Sequence, residues 1–214
     1  MKKFVLAVGL VCLASTQVQA EAFGSVFGNL SSARTIGNGM GDFGGGVGIA
    51  DGTSVFGRFT YGTSQYSELR LKLGIIDDEG IDAQIAVGAD FQYHFLEVTR
   101  DQQGRTTTPF DLATGGLFEW VDLEFVSVFQ IGTFLVGSHP FQLQNGGVLS
   151  PYARLNVRLE SKSFDTDFID DQTDLEFGVH GGVEWQVNDV IDLYGEFQID
   201  GNDGVFLGID FSVM

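Results

Sequence analysis

Cysteine, proline and positive charge are scarce in this chain, and each shortage closes off a class of protein. The single cysteine, Cys12, falls within the first twenty residues, so no disulfide framework holds the remainder together. Three prolines in 214 residues, with no Pro- or Ser-rich stretch, leave no linker and point to one domain. Lys and Arg number 11 against 29 Asp and Glu. Phosphate binding needs clustered cations, so nucleic acid is excluded as a partner. Also missing is an apolar run of the ~20 residues that a membrane-crossing helix requires. No helical period is sustained after the first twenty residues.

Those first residues are an address. Met1-Lys2-Lys3, the apolar run Phe4 to Ala14 and Val18-Gln19-Ala20 form a basic start, a short greasy core and a small-residue cleavage site. Residues 1–20 are therefore expected to be a secretory signal peptide, cut after Ala20. Val11, ahead of Cys12, is not the small residue that a lipoprotein cysteine requires. Without Lys2 and Lys3, 9 basic residues face 29 acidic ones in the domain 21–214, a net charge of −20.

Glycine and phenylalanine are plentiful, 30 and 20 residues, and so is alternation of period two. Leu175, Phe177, Val179, Gly181, Val183 and Trp185 alternate with Glu176, Gly178, His180, Gly182 and Glu184. After Asn188-Asp189 and again after Gly201 to Gly204 the pattern resumes, ending in Val205, Leu207, Ile209, Phe211 and Val213. Side chains in a strand point to opposite faces, so each run has one apolar and one polar side. Similar runs cover Phe43 to Ile49, Ser54 to Gly62, Ser67 to Ile75, Ala83 to Phe95, Val121 to Leu135 and Ala153 to Leu159. The fold class is all-β.

Alternation alone fits two architectures. A soluble sandwich or lipocalin-like barrel turns its apolar face inward; an outer-membrane barrel turns it outward to lipid and encloses the polar face. The export address and runs reaching the ~9–11 residues of a tilted membrane strand favour the second. We expect a closed, antiparallel, up-and-down transmembrane β-barrel of about ten strands, with eight as the alternative. Nine runs are visible, and parity asks for a tenth, most simply from residues 22–36, which alternatively tuck into the lumen. Counting back from Met214 places the turns at 188–189, 77–80 and 51–53 on the periplasmic side and the stretches 96–118 and 162–173 outside.

Ser32-Ala33-Arg34-Thr35-Ile36-Gly37, Gly44-Gly45-Gly46-Val47-Gly48 and Phe56-Gly57-Arg58-Phe59-Thr60-Tyr61-Gly62 resemble the porin-like outer-membrane β-barrel proteins of Gram-negative-type bacteria. The resemblance implies location in the bacterial outer membrane, lipid as the surroundings and the barrel-assembly machinery as a partner during insertion.

Candidate sites are few. Gly39, Gly41 and Gly44 spell G-x-G-x-x-G, but alternation follows where a phosphate-cradling loop needs a helix. His94 and His180 sit on polar faces, each four residues after a carboxylate. At ~3.3 Å per residue that spacing is too long for a dyad within one strand. Asp165 to Glu176 imitates a calcium loop but fails at Ile169 and Asp170. No catalytic, metal or cofactor residues are expected. What remains is a lumen charge network: Arg58, Arg70, Lys72, Asp90, Asp122, Glu124, Arg154, Arg158, Glu176, His180, Glu184 and Glu196. In a lumen barely wider than its side chains such charges should pair across it, leaving at most a narrow path that favours small cations. The expected function is structural or small-porin-like, without catalysis. The alternatives are a barrel enzyme acting on lipid and a soluble periplasmic barrel binding a small apolar ligand. The membrane reading predicts that alkaline carbonate leaves the protein in the membrane fraction and that detergent releases it; release by carbonate alone would favour the soluble barrel.

Overall fold

Ten alternating stretches extend and pair into one closed antiparallel sheet. The computed structural model describes residues 23–213 apart from 51, 78–82, 101–105, 124–125, 145 and 165–169. Its barrel strands are β1 (Gly41–Ile49), β2 (Thr53–Ser64), β3 (Ser67–Asp77), β4 (Gln84–Leu96) and β5 (Asp111–Asp122). They continue as β6 (Val126–Ser138), β7 (Val148–Phe164), β8 (Gln172–Gln186), β9 (Ile191–Ile199) and β10 (Gly204–Val213). Each pairs with the next in sequence, and β10 returns to β1 from Val213 opposite Gly41 to Val205 opposite Ile49. Closure removes the free edges that would otherwise template aggregation. A short strand, Phe141–Gln142, adds beside β7, and Thr99–Arg100 pairs with Thr106–Thr108 in the β4–β5 connection. The expected signal peptide, Glu124 and positions 165–169 of the acidic loop lie outside the described residues.

The apolar faces look outward. Phe177 is 64% exposed, Ile85 57% and Leu155 56%, whereas Arg154 and Arg158 are 0% and 1% exposed. A soluble lipocalin-like barrel would show the reverse. Exposed Leu, Ile, Val and Phe side chains continue around the strands, far beyond the patch of a few hundred Å² that soluble monomers tolerate. Acyl chains are the surroundings that remove the cost of this surface. No helix among the described residues is long and apolar enough to cross a membrane, and strands of 9 to 17 residues supply the crossing instead.

Ten strands form, but not from the expected residues. The tenth comes from the stretch 111–122, read from the sequence as the end of a long connection and the start of a run continuing to Leu135. A tight turn divides that run: Leu123 N donates to Val126 O, and Trp120 comes to lie opposite Phe129. Because the turn resets the alternation, Val121 and Leu123 point inward at one side of it while Phe129 and Ile131 point outward at the other. The unseen hairpin also shifts the parity of every earlier strand. The ends of β1 and β3 at Ile49 and Asp77, and the starts of β2 and β4 at Thr53 and Gln84, therefore lie at the end opposite Asn188-Asp189. The end of β4 at Leu96 and the start of β5 at Asp111 lie at the same end as Asn188-Asp189 and Val213. Residues 51 and 78–80 of the two expected turns lie outside the described residues.

Residues 23–36 are not a strand. They run down the inside of the barrel, where Ser25 to Ala33 are buried. Gly24, Gly28 and Leu30 have φ of 73°, 60° and 45°, which breaks the extended geometry that pairing needs. Both inner apolar clusters form around this segment. Val26, Phe27 and Leu30 pack with Phe56, Val121 and Phe206, and Ala33 packs with Ala113, Leu117, Phe134 and Tyr152. Phe27 meets Phe56 edge to face, 5.3 Å between centroids, and full burial of Phe27 and Leu30 contributes about 1.5–3 kcal/mol each.

The segment spans the barrel from end to end. Gly24 lies against Asn202 in the β9–β10 turn, and Thr35 Oγ1 donates to Gln65 O in the β2–β3 turn. Phe23 and the C-terminal end of β10 thus sit at opposite mouths. In oriented vesicles, cysteines at F23C and D203C should react with an impermeant maleimide from one side and N188C from the other. Labelling of F23C together with N188C would contradict this path.

Candidate functional site

Among the described residues, charged side chains are concentrated away from solvent in the interior. Inward positions of β2 and β3 supply Arg58, Glu68, Arg70 and Lys72, and β4 and β5 supply Asp90 and Glu119. From the other half come Arg154, Arg158 and Glu160 of β7, Glu176 and His180 of β8, Glu196 of β9 and Asp210 of β10. Counting Asp42, Asp111 and Asp200, ten buried carboxylates face five buried Lys and Arg among the described residues. Such an excess needs other donors.

The cations pair around the wall, between near-neighbour strands. Arg58 grips Asp210 through Nε and Nη2, at 2.9 and 2.5 Å, and its Nη1 donates to Leu30 O at 2.7 Å. Arg70 bonds Glu68 on its own strand, Lys72 Nζ lies 3.0 Å from Asp90 Oδ2, and Arg158 Nη1 donates to Asp200 Oδ2 at 3.0 Å. Arg154 is different: its guanidinium lies 3.5 Å over the Phe134 ring, and it balances Asp90, Glu196 and Glu119 through space rather than by contact.

Several wall carboxylates, with or without a cation partner, take donors from the backbone of the inner segment. Glu160 accepts from Phe23 N and Gly24 N, Asp200 from Ser25 N, and Glu119 from Val26 N and Ser25 Oγ. Glu196 accepts from Asn29 N at 2.7 Å and Leu30 N at 3.0 Å, while Glu184 takes Ser32 N and Glu68 takes Ile36 N. The carbonyls are met in turn: Gly28 O by Lys72, Gly24 O by Gln130, Ser25 O by Gln198, and Ser32 O and Arg34 O by Gln92. Buried backbone polar groups must be paired, and here wall side chains do what a neighbouring strand does elsewhere. Asp200, in the β9–β10 turn, is pushed up by burial, but the His180 hydrogen bond and Arg158 outweigh this and hold it below the usual carboxylate range.

Of the residues expected in the network, Arg58, Arg70, Lys72, Asp90, Arg154, Arg158, Glu176, His180 and Glu196 are buried in the interior. Glu184 is partly exposed on the wall of a cavity of about 330 Å³, which opens at the mouth bearing Asn188-Asp189 and also touches Asp42, Asp192 and Arg34. Asp122 is a correction. It is exposed beside the β5–β6 turn and accepts from Ser127 Oγ, because the turn puts its neighbour Val121 on the inner face. Glu124 lies outside the described residues. The ion pairs do not cross an open lumen, since the inner segment fills its middle. Glu119, Glu160, Asp200 and Asp210 were missed. Strict alternation from Phe197 and Ile209 marks the last two as inward, whereas Glu119 stands in the unrecognised strand.

Both histidines of the polar faces are bonded within the wall. His180 is fully buried, Nε2 3.1 Å from Asp200 Oδ2 and Nδ1 3.4 Å from Glu196 Oε1, with Asn29 and Asn156 also on its nitrogens. His94 Nε2 bonds Leu96 O and lies near Asp111. The glycines of the G-x-G-x-x-G string enter β1 directly, with no helix after them.

Strand order, closure and the outward apolar band define a closed ten-stranded antiparallel barrel of the membrane-spanning kind, filled by its own chain. Neither a family model nor a curated protein matches the sequence. Solved structures do resemble it. The N-terminal β-barrel domain of Pseudomonas aeruginosa OprF is 9% identical with a TM-score of 0.39, over 83% of this chain and 99% of that one. KdgM porin is 8% identical with a TM-score of 0.40, over 81% and 99%. A de novo designed transmembrane β-barrel is 15% identical with a TM-score of 0.36, over 82% and 97%. The assignment of the barrel rests on this chain's own strand registers.

Glu196 holds two backbone amides and the Tyr152 hydroxyl at once. Glu196→Gln should destabilise the folded barrel by roughly 3 kcal/mol, because a buried ionised acceptor is replaced by a neutral amide. A lowered urea midpoint relative to an E97Q control on the exposed surface would show it.

Proposed function

We propose that this protein is an integral outer-membrane barrel with a structural or small-porin-like role and no catalysis, its lumen closed by the inner segment and the wall charges. The observation that carries the reading is the path of residues 23–36, bonded to the wall from one mouth to the other. A secretory leader at 1–20 fits export, and outer-membrane lipid and the assembly machinery are the partners such a barrel meets. The outward apolar band supports residence among acyl chains, and resemblance to porin barrels agrees with that architecture.

Any path left beside the segment favours cations. Ten buried carboxylates against five buried Lys and Arg give it a negative field, which attracts small cations and rejects anions. The cavity at one mouth stops where Leu30 and the Arg58–Asp210 pair meet, so conduction is small. Reconstituted in planar bilayers, the protein should show rare, small, cation-preferring steps. Large, steady, anion-selective currents would overturn the proposal.

A further inference from the structure

Residues 23–36 sit in the barrel as a ligand sits in a receptor. Among the described residues, no backbone-to-backbone hydrogen bond joins this segment to the wall; its amides and carbonyls meet side chains instead. Phe27 and Leu30 occupy sockets cut by wall glycines. A methyl on Gly88 would stand 3.0 Å from the Phe27 ring, and one on Gly208 would stand 2.8 Å from Leu30 Cδ1. From Phe23 to Ala33 the segment carries no charged side chain, so the wall carboxylates have only its N–H groups and hydroxyls to recognise. It joins the barrel through one exposed turn, where Asn38, Gly39 and Met40 face solvent.

From this we infer that the lumen is a peptide-binding site, occupied in cis by residues 23–36 and able to take the same kind of chain in trans. The ligand class is an irregular peptide of mostly small residues, uncharged over the stretch matching residues 23–33, bearing a large apolar side chain at one position and a second three residues later. Glu119, Glu160 and Glu196 read its amides, Lys72 and Gln198 read its carbonyls, and the two glycine-lined sockets read Phe27 and Leu30. This rests on the interior geometry and not on the lipid-facing reading, so carbonate extraction can refute one and leave the other intact.

The test uses the full chain with a specific protease site inserted between Asn38 and Gly39, folded in detergent micelles and then cut. The N-terminal fragment should co-elute with the barrel and exchange for a fluorescent synthetic peptide of residues 23–38. A peptide carrying F27A and L30A should compete at least tenfold more weakly. A scrambled peptide that competes equally, a fragment that never exchanges, or a barrel that unfolds on cutting overturns the proposal. A second measurement needs no insertion. The uncut chain bearing F27A and L30A should bind the labelled peptide where the parent protein does not; equal binding to both, or none to either, also overturns it.

Discussion

Ionised carboxylates accepting hydrogen bonds from the amides of one irregular segment are what the rest of this structure is arranged around. A small barrel with charges enclosed faces a solvation problem, because the interior has little room for water and each unpaired charge is expensive. Pairing with Arg and Lys answers part of it. Five cations cannot answer ten carboxylates; Glu119, Glu160 and Glu196 are met by main-chain donors at Phe23, Val26, Asn29 and Leu30, and Asp200 and Glu68 add Ser25 N and Ile36 N to their arginine partners. The segment and the acidic wall are therefore one device: without the segment the carboxylates lose their donors, and without the carboxylates the segment's amides are buried unpaired.

The same constraint explains the glycine content. Inward positions on β1, β3, β4 and β10 are small where the segment's bulky groups press against the wall, so Gly46 and Gly208 border Leu30 while Gly74 and Gly88 border Phe27. Glycine weakens a strand that must stand alone. Here each of these strands has a partner on both sides, and the volume given up by the wall is refilled by Phe27 and Leu30. The middle of the barrel is thus filled by apolar side chains of its own segment, although its lining is largely charged.

Much of the fold was legible because period two survives even where its meaning is ambiguous. Leu155, Phe177 and Ile85 alternate with polar residues whichever way the sheet faces, and strand length with the leader then selected the outward solution. Most of the charge network followed from the same parity. What stayed hidden has physical causes. The β5–β6 turn is so tight that Val121 to Leu135 reads as one strand, and a slip of one residue exchanges the faces, which misplaced Asp122 and concealed Glu119. The inner segment has no period at all, because wall side chains rather than a neighbouring strand satisfy its backbone. Only its glycines and the scarcity of charge before Arg34 set it apart.

The inner segment also fixes an order of assembly. It is tethered through residues 37–40 to β1, and β1 is one lip of the seam that β10 closes. Several of its acceptors lie far along the chain: Glu160 is 137 residues from Phe23, Glu196 is 166 from Leu30 and Asp200 is 175 from Ser25. Those acceptors exist only once the C-terminal half has curled round. Either the sheet wraps about a segment already lying on β1 to β5, or that segment must be threaded lengthwise through a finished ring. Wrapping has the lower barrier, since short-range contacts of β1 to β3 can hold the segment before the distant carboxylates arrive. The N-terminal stretch then serves as a mandrel on which the cylinder is wound.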